Sequence, residues 1–197
     1  MSLSKLFSKT KTQQSENINA IKDFFFYHHG DGMSMHRDDP EKYKQYRFLK
    51  EDTVEQWRQE LIAQDFELLI NDNVENQWIL IGNLIRLISS SKNLIEDNFK
   101  KLLTQIIEMS STLSKRQRIL ILEHFAGRTL SQEDDAIYLI YSKTTLTELL
   151  ITAVNTLANF SIDTSDNLSD IGWEDMKQRY NDAQKDIQNA FKKFKIK

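Results

Sequence analysis

The sequence predicts an all-α fold, either a multi-helix bundle or a short HEAT-like antiparallel helix array of about eight helices. Three observations point there. Apolar residues recur at spacings of three and four along most of the chain. Turn formers are scarce: the 197 residues include one proline and five glycines, too few for the tight turns of a strand-rich fold. Helix-start signatures, a Ser, Thr or Asp followed by Gln, Glu or Pro at a fixed distance, recur between the apolar stripes.

Residues 1–14 read as a flexible segment. Met1 to Thr12 is basic and Ser/Thr-rich without the apolar run of a secretory signal, and Ser2 rules out N-myristoylation. Residues 15–160 read as one helical domain. Ser15 can cap a helix that reaches Tyr27, with Ile18, Ile21 and Phe25 on one face and Gly30 as its stop. A strand through Phe24 to Tyr27, turning at Gly30–Gly32, competes for the same residues. Gly30 to Asp38 reads as a loop. Asp39 caps the next helix, with Pro40 at its first position, where the missing N–H costs nothing; that helix runs to about Leu49.

Thr53 with Gln56 forms a capping box for a helix whose apolar face holds Val54, Trp57, Leu61, Phe66 and Leu69. Val74 to Ser89 is the most hydrophobic segment. Val74, Trp78, Ile81, Ile85 and Ile88 form one stripe, widened by Leu80, Leu84 and Leu87, so a central helix buried on several sides is expected. Ile95, Phe99, Leu102, Ile106 and Met109 mark the next helix. Ser114 with Gln117 caps another that ends at Gly127, and Ser131 opens a short acidic one with Ile137 and Ile140. Thr145 with Glu148 caps a helix through Leu149, Ala153, Leu157 and Phe160.

Residues 161–172, rich in Asp and Ser and without periodicity, read as a linker. Residues 173–197 then form a C-terminal amphipathic helix. Its stripe of Trp173, Met176, Tyr180, Ala183, Ile187, Ala190 and Phe194 repeats every three or four positions. Such a stripe docks on the domain or on a partner; a homodimer through Trp173, Met176, Tyr180 and Ile187 is the second case.

Composition narrows the function. The absence of cysteine excludes disulfides, thiol catalysis and Cys-ligated zinc. The apolar run Trp78 to Ile81 stops at Gly82, and no run approaches the length of a membrane span. A net charge of −3 argues against a nucleic-acid partner, and a cytoplasmic protein without nucleic-acid or membrane partners is expected. Charge is unevenly spread: Glu51 to Glu75 holds eight acidic residues and one basic, and Ser131 to Asp170 seven and one. Solvated helix faces account for such stretches, and so does a surface for a basic partner.

The densest chemistry lies between His28 and Asp39, where three of the four histidines stand among aspartates. Imidazole and carboxylate are ligands for zinc, manganese or iron, so His28, Asp31, His36 and Asp38 are the candidate metal set. The helical His-x-x-x-His pair is absent, and a polar surface is the plainer reading. His124, near the end of its helix, suits the negative end of the helix dipole. No nucleophile elbow or phosphate loop occurs, and no catalytic residues or cofactor are expected.

The function expected from this pattern is an acidic cytoplasmic protein–protein interaction module. A bacterial toxin-immunity (inhibitor) protein is its concrete form, with Glu55, Glu60, Asp134 and Asp135 as contact residues toward a basic partner. A metal-binding helical protein or metal-dependent enzyme built on the 28–39 segment is the alternative.

Overall fold

The structure, a computed structural model, describes residues 17–71, 77–93, 95–129, 144–162 and 173–193. Among these residues it is a multi-helix all-α bundle without strands. In chain order the helices are α1 (17–27), α2 (Gly32–Asp38), α3 (Pro40–Arg47), α4 (Glu51–Asn71), α5 (Gln77–Ser90) and α6 (Ile95–Met109). Then follow α7 (Lys115–His124), which runs into a π-helical turn (Phe125–Thr129), α8 (Thr144–Ala158) and α9 (Trp173–Lys193). Two compact units divide at Ala63/Gln64, within α4.

In the first unit the segment through Phe24 to Tyr27 is helix and not strand. α1 ends in a Schellman arrangement: the Gly30 N–H donates to the Phe25 carbonyl at 2.8 Å and the His29 N–H to Phe26 at 2.9 Å. His29 and Gly30 take positive φ values of 48° and 68° to make that turn. Ile21 and Phe25 are buried, and Phe25 packs on Tyr46 and Trp57 at ring separations of 5.6 and 6.0 Å.

The predicted loop Gly30–Asp38 is instead a short helix. Asp31 caps α2 by accepting from the Met33 N–H at 3.1 Å, and Met35, fully buried, anchors it. One apolar anchor in seven residues leaves no periodicity to read. α3 starts as predicted, with Pro40 first and the Asp39 carboxylate accepting from the Lys42 N–H at 3.0 Å. The predicted cap at Thr53 is corrected: α4 begins two residues earlier, and the Thr53 N–H already donates to the Lys50 carbonyl at 3.0 Å. Glu51 and Asp52 favour that start, since carboxylates in a first turn complement the helix dipole.

The second unit is built around α5. Ile81, Leu84, Ile85 and Ile88 have no exposed surface, and α5 packs against α6, α7 and the π-turn. α6 buries Phe99, Leu102, Leu103 and Ile106 between α5 and α8. α7 has the predicted Ser114–Gln117 capping box, with the Ser114 N–H donating to the Gln117 side-chain oxygen at 2.7 Å. α8 starts at Thr144, one residue before the predicted cap, and lays Leu146, Leu150, Ala153, Val154 and Leu157 inward against α6 and α7.

α9 docks on α7 and the π-turn. Met176 meets Ile119, with Phe160, Ile162 and Tyr180 around them, and Ala183, Ile187 and Ala190 are also buried. The Arg179 guanidinium clasps the Glu123 carboxylate through two nitrogens, and the Tyr180 hydroxyl donates to the Ala158 carbonyl at 2.8 Å. Met176 and Ile187, two of the residues named for a homodimer face, are buried within the single chain. The helix predicted from Ser131 and most of the 161–172 linker lie outside the described residues, as do Val74 and Phe194. No helix among the described residues is long and apolar enough to cross a membrane.

Candidate functional site

The four residues of the predicted metal set have separate local tasks. Asp31 is the α2 cap and also accepts from the Ser34 hydroxyl at 3.1 Å. The His28 ring is wedged edge-on against Phe24 and Tyr27, with Nε2 3.9 Å from an Asp38 oxygen. Asp38 is bonded to Arg37 at 2.7 Å, and that bond holds its carboxyl below the usual range. His36 meets the Tyr43 ring edge-on at 5.3 Å. Among the described residues no three His, Asp or Glu side chains converge as a metal would require.

The predicted acidic contacts fare unevenly. Glu55 is buried, ion-paired with Arg58 on the next turn, and accepts from the Gln59 amide at 2.9 Å. Its carboxylate is thus engaged within α4. Glu60 is half-buried between Lys22, at 2.5 Å, and the Gln56 amide, at 2.9 Å. The Lys22 bond holds its carboxyl below the ordinary carboxylate range. Asp134 and Asp135 lie outside the described residues. The carboxylates that α4 does expose are Glu51, Asp52 and Glu67.

Two of these exposed carboxylates, Glu51 and Asp52, stand at a corner that the sequence did not single out. Between α3 and α4 the chain turns through Phe48, Leu49 and Lys50, and the Phe48 side chain is 82% exposed. The same corner holds a cavity of about 280 Å³ lined by Tyr46, Arg47, Leu49, Glu51, Val54 and Arg58. The stack of Tyr46 on Phe25 fixes one wall. Burial pushes the Tyr46 phenol up, against the opposing pull of Arg58, so the ring stays neutral and able to donate. Arg58, paired with Glu55, forms another wall.

The remaining surface of the unit has the same character. Tyr27 and Met33 are 80% and 85% exposed, near the turn from α1 into α2. One signal for Phe48 was present in the sequence: an aromatic residue in a charged stretch, Arg47 to Asp52, off any apolar stripe. Such a residue has no core to join and is left for solvent or a partner.

No protein-family description matches the chain, and neither a curated protein nor a solved structure is significantly similar to it.

Proposed function

We propose that the chain is a protein-binding module, acidic at its contact surface and of the inhibitor or immunity kind, which meets its partner through the α3–α4 corner. The exposed Phe48 supports this reading most. A unit that buries Phe25, Met35 and Trp57 leaves a phenylalanine almost fully in water, between the cavity residues Arg47 and Leu49 in the chain. Aromatic residues in such positions are typical anchors of interfaces, ringed by polar groups that exclude water once bound. Glu51 and Asp52 next to it supply the negative rim, which steers a basic partner and quickens its approach. The contact residues of this reading are Phe48, Glu51 and Asp52, with Asp134 and Asp135 as further acidic candidates.

Charge reversal tests it. The tagged chain and a Glu51→Lys/Asp52→Lys variant are each incubated with lysate of the source cell at low and at high salt. The expected result is a basic protein retained near one-to-one by the wild type, released by salt, and retained at least about tenfold less by the variant, since two rim charges act mainly on association. Equal retention by both chains at low salt contradicts the reading.

A further inference from the structure

The cavity at the α3–α4 corner is lined by more side-chain donors, Tyr46, Arg47 and Arg58, than acceptors, of which Glu51 is the one carboxylate. Arg58 is only 9% exposed, yet among the described residues its one acceptor is the Glu55 carboxylate, reached through Nη1. A guanidinium offers five N–H donors, and Arg58 is one of the residues that line the cavity. The Tyr46 hydroxyl, also on the wall, engages no acceptor among the described residues, and Arg47 adds a second guanidinium. Glu55 is committed to Arg58 and Gln59, which leaves Glu51 as the one carboxylate on the lining. A cation entering here would face two guanidinia against that single carboxylate. An oxyanion would meet a planar donor fork and a neutral phenol.

We propose that this cavity is a binding site for an anionic oxygen group, a carboxylate or a phosphate, carried by the partner that Phe48 anchors; the inference rests on the binding reading above. Arg58 and Tyr46 donate to the group from the inner walls and Arg47 closes over it from the rim. Glu51 faces the same space and opposes the anion, so the affinity for a free ion is weak and removing that charge raises it. The partner surface thus pairs a basic region, drawn by Glu51 and Asp52, with one acidic or phosphorylated group that enters beside the phenylalanine.

The test needs no partner. The full chain is titrated with sodium phosphate and, separately, with sodium acetate, each against sodium chloride at matched ionic strength, and read by amide and arginine Nε NMR shifts. The expected result is saturable movement confined to residues 46–58, three- to tenfold weaker in Tyr46→Phe, the loss of about one hydrogen bond, and severalfold tighter in Glu51→Gln. Tyr46→Phe keeps the ring stacked on Phe25, which avoids leaving Glu55 buried without Arg58. Saturation by both anions assigns a carboxylate-sized group, and saturation by phosphate alone a phosphate. Shifts that match those in chloride, or that are unchanged in Tyr46→Phe, overturn the site. Partner capture that survives the loss of anion binding overturns this inference alone. Anion binding without any Phe48-dependent capture overturns the binding reading instead.

Discussion

At Gly82 a missing side chain makes room for the His124 imidazole. A Cβ built on Gly82 would overlap that ring, which lies over α5 from the last residue of α7. The sequence showed a histidine at a helix end and suggested a dipole partner. It could not show that the ring's place was set by a glycine 42 positions earlier, because that pairing exists only once α5 and α7 are packed. Gly82→Ala is expected to destabilise the protein by about 1–3 kcal/mol through overpacking. In a His124→Ala background the same change should be neutral or stabilising by up to about 1 kcal/mol, since alanine is the better helix former. Urea unfolding of the four chains in this cycle measures the coupling directly.

Single residues also show what charge and spacing leave open in the acidic segment. Charge and spacing place Glu55 and Arg58 three apart on a helix, but a pair that points inward reads the same as one that points outward. Glu60 differs in having a distant partner, Lys22 on α1. Its folded pKa lies below the unfolded value, so the bond stabilises the protein above the ordinary carboxylate range and fades as pH falls through the folded pKa. Glu60→Gln should therefore cost about 0.5 kcal/mol near neutral pH, the scale of a partly exposed pair. Once the pH is below the folded pKa of Glu60, wild type and variant should unfold alike.

Among the elements, α5, α6 and α9 were legible because their apolar stripes are long, and α7 because its capping box is complete. α2 was not, since seven residues with one buried methionine offer a cap and no period. The start of α4 was misread for a related reason: Thr53 and Gln56 match a capping box by spacing, while Glu51 and Asp52 match a first turn, and the helix takes the second. The C-terminal stripe was fully visible, but its target was open between the chain's own body and a second copy. In the structure Met176 is buried against Ile119 of the same chain. Met176→Ala should lower stability by about 2–4 kcal/mol and speed hydrogen exchange in α9, with no change in sedimentation. A dimer lost on mutation would contradict the docked arrangement.

At the scale of the molecule, the division at Ala63/Gln64 had no sequence signal, because the apolar face from Val54 to Leu69 runs through it without a break. The fold class was legible from periodicity and the scarcity of turn formers. The candidate surface was legible in sign, as a negative stretch beginning at Glu51, and not in position, because Phe48 belongs to no stripe. Its exposure is a property of the α3–α4 turn in the folded unit. The surface combines an apolar anchor, two rim carboxylates and a donor-lined cavity within about a dozen consecutive residues, 46–58, a compact patch of the kind that dominates binding energy in larger interfaces.

The most direct measurement compares capture from lysate of the source cell by the wild-type chain and by Phe48→Ser, after matched unfolding curves establish that both are folded. The account expects the same stability, because the ring is in water, and retention of the bound protein reduced at least tenfold, the loss of an anchor residue. Equal retention by the two chains would contradict it and would move the contact surface away from the α3–α4 corner.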